Sequence, residues 1–361
     1  MTEPRKIRSV GRGAQIQTQN RFTRIACEDD WEQIGNDEEY LADRRRIRTE
    51  YFVDTARTIV STNDSPDIPF RYSLNPYRGC QHGCVYCYAR PTHEFLDLSG
   101  GLDFETRIFV KPDAPDLLRD FLTAPDWSAD VIVFSGVTDC YQPCERQFRL
   151  TRGCLEVAAE ARQPISIITK NPLVRRDVDV LRELAAHHAV EVRISLTTLD
   201  QDLARHMEPR TGTPRARLDT ITALRDAGIP VGVMIAPVIP GLNDSEIPAL
   251  LRAAAEAGAQ SANYTLLRLP ACVEPIFLDW LDRELPDARS RIESRIRGCR
   301  NGRLSDSRFG RRMRGSGPLA EQIRRTFAIF RRRYALADRL PPLSADAFRP
   351  PRTRHGQRFL F

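Results

Sequence analysis

Three cysteines, Cys80, Cys84 and Cys87, fall within eight residues of the segment Asn75-Pro76-Tyr77-Arg78-Gly79-Cys80-Gln81-His82-Gly83-Cys84-Val85-Tyr86-Cys87-Tyr88. Their spacing is C-x3-C-x2-C, and thiolates are preferred ligands of iron–sulfur clusters and of zinc. Gly79 and Gly83 interrupt the run, and glycine tolerates the positive φ that a loop needs to wrap closely around a bulky inorganic group. Three is the informative count. A cubane cluster held by three cysteines keeps one iron open to a further ligand. Structural zinc needs a fourth donor, for which His82 or His93 could serve, and usually shows a second short ligand clip that this sequence lacks. Cys140 and Cys144 form a separate C-x3-C pair, which with Cys154 offers an alternative second cluster. Cys27, Cys272 and Cys299 have no close thiol partners in sequence and read as small buried hydrophobes.

The elements that position these residues begin near residue 70. Short β-branched runs at 71–74, 131–134, 165–168, 190–196, 231–235 and 262–267 alternate with helix-length stretches at 113–122, 146–162, 177–186, 214–227 and 245–257. A further short strand fits 108–111. This alternation predicts βαβ crossovers and a parallel sheet. Apolar runs without polar alternation fit strands buried on both faces. About six such units suit an α/β fold, either a partial (β/α)6 barrel or a doubly wound sheet. In both, the active site lies at the carboxyl ends of the strands. That rule selects the residues just after each strand: Ser135-Gly136-Val137-Thr138-Asp139, Thr169-Lys170 and Ser195.

Taken with the strand pattern, C-x3-C-x2-C with an aromatic before its third cysteine resembles the radical SAM superfamily. The resemblance covers roughly residues 66–300. The wording around the cysteines is similar to the DNA repair photolyase-like, spore photoproduct lyase-related branch, and 101–105, 138–139, 141–143 and 266–270 look like a bacterial subgroup of it. The resemblance implies a partial (β/α)6 TIM-like barrel, a [4Fe–4S] cluster on Cys80, Cys84 and Cys87, and S-adenosylmethionine as the second cofactor. It implies that the backbone at Tyr86 faces the adenine, that Ser135, Gly136 and Thr138 present groups to the methionine ammonium, and that Lys170 pairs with the methionine carboxylate. Ser195 would bond the ribose or carboxylate, Glu208-Pro209-Arg210 would add charge, and 235–240 would pack under the adenine. Cys140 is the candidate for returning a hydrogen atom to a product radical, although the branch places its cysteine in a different register. A low-potential reductant such as flavodoxin or ferredoxin is the implied partner.

Composition sets the remaining bounds. The chain has 361 residues, 41% hydrophobic and 28% charged, which excludes collagen, low-complexity disorder and a small disulfide scaffold. Its basic residues are 51 Arg and three Lys, so Lys170 at a strand end is conspicuous. Residues 289–361 carry a net +15 and residues 1–288 a net −9. Clustered Arg without acids suits a phosphate backbone, and it equally suits docking on an acidic body. The sequence divides into an irregular leader (1–66), a radical SAM core (67–300) and a basic helical C-terminal extension (301–361). No apolar stretch is long enough to cross a bilayer, and odd cysteine usage without a signal-peptide pattern points to a cytoplasmic protein with reduced thiols. Three functions remain open at this level: a radical SAM enzyme acting on a nucleic acid lesion or modified base, one acting on a peptide or small metabolite, and a non-enzymatic zinc or iron–sulfur protein.

Overall fold

The structure is a computed structural model that describes residues 8–23 and 45–353. In chain order its strands are β1 (Glu50–Val53), β2 (Val60–Thr62), β3 (Tyr72–Leu74), β4 (Tyr77–Arg78), β5 (Arg107–Val110), β6 (Ile132–Phe134), β7 (Ile165–Thr169), β8 (Val190–Ser195), β9 (Val231–Val238) and β10 (Ser261–Leu266). The main sheet runs β10-β9-β8-β7-β6-β3-β2. Its six strands from β3 to β10 pair in parallel, and β2 closes the edge antiparallel to β3. Six parallel strands with helical crossovers make the partial (β/α)6 barrel that the sequence predicts.

The helices are α1 (Leu102–Thr106), α2 (Ala114–Leu122), α3 (Glu145–Phe148), α4 (Leu150–Ala161), α5 (Val178–Ala185), α6 (Gln201–Met207), α7 (Pro214–Asp226), α8 (Ile247–Ala257), α9 (Val273–Glu284), α10 (Pro286–Gly298) and α11 (Pro318–Arg333). The single helix expected over 146–162 is two, because Arg149 between them adopts φ 54° and breaks the backbone ladder. Helix α7 starts as its sequence dictates, with the Thr213 hydroxyl accepting from Ala216 N and Pro214 at the first position. Strands β6, β7 and β9 are mainly apolar on both faces, whereas β8 alternates, Val190, Val192 and Ile194 buried in the core and Glu191 and Arg193 paired on the other face, so the uniformly apolar run expected over 190–196 is not what this strand presents.

The described residues on both sides of the core are built into this frame. β2 extends the main sheet, and β1 joins β5 and β4 in a separate three-stranded sheet, so residues expected to be an irregular leader supply strands to both sheets. After α11, Ala337 bridges Ser261 on the open edge of β10. The chain then passes the amino ends of β7 and β8, where Ser344 N donates to His188 O and Arg349 N to Ala161 O. Among the described residues no helix is long and apolar enough to cross a membrane, and the eight described cysteines are unpaired. Cys27 lies outside the described residues.

Candidate functional site

The cysteine loop leaves the carboxyl end of β3 and is held from three sides. Gly79 and Gly83 have φ of +77° and +66°, the left-handed region expected of them. A Cβ on Gly79 would stand 2.9 Å from the His93 ring, and one on Gly83 would stand 2.6 Å from Glu105 Oε2. Beneath the loop Arg90 is fully buried and uses every donor. It bonds Cys84 O through Nε (3.1 Å) and Nη2 (2.9 Å), Gly100 O and Gly101 O through Nη1 (3.0 Å each), and Glu105 Oε1 through Nη2 (2.5 Å). Glu105 also accepts from Gly13 N (3.0 Å) and Ala14 N (2.8 Å). The leader segment 8–23 therefore lies on the loop, and a Cβ on Gly13 would overlap the Gly83 carbonyl.

Burial pushes the thiols up: Cys80 to about 12, Cys84 well above its ordinary range and Cys87 upward. The three thiols act on one another, and the Lys170 charge opposes the shift at Cys84 and Cys87. Among the described residues, no three His, Cys, Asp or Glu side chains converge on a single ion position. His82, buried and lowered to about 4 by burial, has Nδ1 3.4 Å from Asp139 Oδ2 and Nε2 3.2 Å from Asn171 Nδ2. His93 bonds Arg107 O at 3.0 Å. His82 is engaged at both ring nitrogens, whereas His93 is engaged at Nε2 and its buried Nδ1 has no hydrogen-bond partner.

The strand-end residues gather beside this loop. Lys170 Nζ donates to Ser195 Oγ at 3.0 Å and stands 5.8 Å from the Tyr86 ring centroid. Tyr86 donates its hydroxyl to the buried Glu208, which also accepts from Thr197 Oγ1 (2.6 Å) and pairs with buried Arg217. Arg210 instead reaches the leader, Nε donating to Gly11 O at 2.9 Å. After β6 the backbone turns sharply, with φ of 144° at Ser135 and 127° at Gly136. Ser135 Oγ donates to Ile168 O (2.7 Å). Thr138 donates to Gly79 O at 2.7 Å, so its hydroxyl acts on the cysteine loop rather than standing free. Segment 235–240 packs alongside, Ala236 O accepting the hydroxyls of Ser195 and Thr197 (3.3 Å each).

Cys140 is fully buried, with Sγ 3.5 Å from Phe134 O and 3.9 Å from Ser135 Oγ. It shares the main core with Cys154, whereas Cys144 packs in a separate cluster with Tyr77 and Leu150, so the three thiols of the suggested second cluster do not share a pocket.

A family model described as the radical SAM superfamily matches residues 74–254. The chain belongs to the radical SAM superfamily. A Mycobacterium tuberculosis protein is 41% identical over 64% of this chain and 68% of its own length. A Methanocaldococcus jannaschii protein is 32% identical over 49% of this chain and 63% of its own. Among solved structures, spore photoproduct lyase complexed with a dinucleoside spore photoproduct superposes with a TM-score of 0.55 at 17% identity, covering 79% of each chain, a likeness of fold. The protein is a radical SAM enzyme.

The strand-end rule selected Asp139 without showing its partners, and several other residues around the cysteine loop escaped sequence reading. Asp139 is a hub: Oδ1 accepts from Thr169 Oγ1 (2.7 Å) and Oδ2 from Lys170 N (2.9 Å), which fixes the strand end that carries Lys170. Gln142 bonds Gly79 O (3.0 Å) through Nε2 and accepts from Gln81 N (2.9 Å), locking both sides of Cys80. The Arg90–Glu105 and Arg217–Glu208 pairs are hidden among 51 arginines, and nothing but their burial distinguishes them. At the rim, half-exposed Tyr88 lies under Arg268 (5.7 Å) and Phe309 under Arg312 (4.6 Å). Leu266 N bonds Met313 O at the end of β10, so the basic loop 311–317 belongs to the mouth of the barrel.

Proposed function

We propose that Cys80, Cys84 and Cys87 hold a [4Fe–4S] cluster and that S-adenosylmethionine binds beside it, against Tyr86, Ser135, Gly136, Lys170 and Ser195, with Thr138 steadying the loop through Gly79. The reading rests chiefly on three thiols of one loop, Cys80 and Cys84 buried and Cys87 partly so, with the Lys170 ammonium acting on Cys84 and Cys87 and standing on Ser195 at two strand ends. Three closely spaced thiols without a second short ligand clip suit a cubane that keeps one iron open better than a four-coordinate zinc site. Bound there, the cofactors supply one-electron cleavage of the sulfonium to methionine and a 5′-deoxyadenosyl radical that abstracts hydrogen from the substrate.

The chain's own residues orient and shield. Lys170 offers a cation to the methionine carboxylate. Glu208, held by Arg217 and Tyr86, fixes the Tyr86 ring. The positive-φ turn at Ser135 and Gly136 brings backbone groups to the strand end. Cys140 is our candidate for returning hydrogen to the substrate radical, because its thiol adjoins Ser135. Unchanged product and turnover in Cys140→Ala overturns that role.

Nucleic acid, at a lesion or modified base, is the substrate class we favour. Tyr88 and Phe309 give the rim ring faces for base stacking, and Arg268 with the exposed Arg311 and Arg314 gives it guanidinium groups for phosphates. The test is anaerobic reconstitution followed by iron counting, dithionite-driven 5′-deoxyadenosine release and deuterium transfer from damaged DNA. About four irons per chain and release of deoxyadenosine are expected. Zinc in their place, or single-stranded DNA binding that ignores salt, overturns the respective part.

A further inference from the structure

A cationic recess lies where the leader crosses the cysteine loop. Arg12 is buried, yet no carboxylate pairs with it among the described residues. Its guanidinium gives Nη1 to Glu105 O (2.8 Å) and Nη2 to Ile47 O (2.8 Å) and Thr49 Oγ1 (3.0 Å), all of them neutral acceptors. Arg12 Nε is buried and has no hydrogen-bond partner. The Glu105 carboxylate is taken instead by Arg90 and by the Gly13 and Ala14 amides.

A second guanidinium stands beside it. Arg210 donates Nε to Gly11 O at 2.9 Å, and its backbone N bonds His82 O at 3.3 Å, so it spans leader and loop. Among the described residues Arg210 makes no ion pair. Burial, and then the Arg210 charge, lower Arg12 to about 10. Both charges also act on the hydroxyl of Tyr51, which accepts from Gln81 Nε2 at 3.1 Å and keeps its own proton to donate. Gln81 Oε1 is buried without a partner. A buried charge is normally paired, and a like charge beside it adds to the cost. An anion between the two guanidinium groups offsets both penalties.

We propose that the recess formed by Arg12, Arg210, Tyr51 and Gln81 binds inorganic phosphate. The donors and the one orphaned acceptor select it among anions. Its dianion meets two guanidinium groups, and its oxygens accept from Arg12 Nε, from Arg210 and from the Tyr51 hydroxyl. Near neutral pH it keeps one P–OH, which donates to Gln81 Oε1. Sulfate and a backbone phosphodiester carry no such proton, and a phosphate monoester loses its second proton at about pH 6. Bound there, phosphate joins three segments distant in sequence: the leader through Arg12, the residue pair after α6 through Arg210, and the cysteine loop through Gln81. It thereby fastens the leader over the loop, whatever Cys80, Cys84 and Cys87 hold.

The test uses the full chain without metal, so its outcome is separate from the cluster reading. Calorimetric titrations near neutral pH are run with inorganic phosphate, sulfate, adenosine monophosphate and single-stranded DNA. Phosphate saturates a single site, raises the melting temperature and slows hydrogen exchange in 8–20. Sulfate and adenosine monophosphate bind about tenfold more weakly, the effect of leaving the buried Gln81 oxygen unpaired. Arg210→Gln weakens phosphate about tenfold or more, and Tyr51→Phe weakens it to a smaller degree. Because Arg210→Gln also touches the leader contact, Gln81→Glu is the second variant. Its carboxylate supplies the anion from within, so phosphate no longer binds while the melting temperature does not fall below that of the parent. No saturable phosphate binding to the parent protein, or binding unchanged in either Arg210→Gln or Gln81→Glu, overturns the site. Sulfate or adenosine monophosphate binding as tightly as phosphate, or single-stranded DNA displacing it, overturns the assignment of inorganic phosphate.

Discussion

Arg90 shows what a single buried charge does here. It sits under the cysteine loop with five satisfied donors and a buried carboxylate partner, so the carbonyl of Cys84 has one fixed position. Removing one member of such a pair leaves an uncompensated charge, so Arg90→Met is expected to cost about 3–5 kcal/mol in urea unfolding. Arg90→Lys does not restore it, because an ammonium cannot reproduce the planar fork. Lys170→Ala has the opposite profile: iron content and stability hold, while S-adenosylmethionine binding by equilibrium dialysis weakens about tenfold or more, the loss of one charge-assisted bond. His93 gives a pH signature. Burial lowers it to about 4, so from its ordinary value near 6.5 down to about 4 the unfolded chain binds a proton that the folded one refuses. Stability of the unloaded protein therefore falls with acidification across that window, by about 1.4 kcal/mol per pH unit for this group, and His93→Asn flattens the slope of urea midpoint against pH. Lys170 was legible because lysine is scarce; Arg90 was not, because arginine is everywhere.

At the scale of elements, the loop and the leader form one unit. Gly83 combines a left-handed backbone with contact to Glu105, and Glu105 in turn holds the leader amides. Gly83→Ala is expected to strain the loop by about 1–3 kcal/mol and to shed iron on gel filtration, with faster hydrogen exchange in 8–20 as the linked sign. Unchanged iron retention would mean that the leader contact does not support the loop. The parallel strands were readable from their apolar runs, and the glycines from their place between thiols. β1 and β2 were not, because a short edge strand gains its pairing from a distant partner and carries no period long enough to detect. The break at Arg149 was invisible for a related reason: it is imposed by packing around Glu145, whose carboxylate accepts from Thr151 N and pairs with Arg176.

For the whole molecule, the basic extension docks through apolar side chains and keeps its charges outside. Ile323, Phe327, Leu336 and Leu340 are buried, and in 301–353 Arg312 with Asp67 is the ion pair that reaches the acidic body among the described residues. Deleting the extension would uncover the β10 edge and the face of α8, so loss of DNA binding on truncation would be ambiguous. Replacing the exposed Arg303, Arg311 and Arg314 with Gln, on and beside the loop at the mouth, avoids this. Melting temperature should stay within a degree or two, while single-stranded DNA binding weakens and its log–log salt slope falls by about two, at roughly 0.7 per charge. A slope that does not change would show that these charges meet no phosphate.

The sequence by itself determined the barrel and the cysteine loop, because apolar runs and C-x3-C-x2-C are local patterns whose chemistry is set by residue type and spacing. It also marked Lys170 and Ser195 separately, through the rule of strand ends. Only the tertiary structure brought those two within 3.0 Å of each other, buried Arg90 and Arg217 against Glu105 and Glu208, and laid the leader over the loop and the basic segment beside the mouth. Those outcomes depend on contacts between residues far apart in the chain, where burial, not identity, decides which of many similar arginines becomes part of the site.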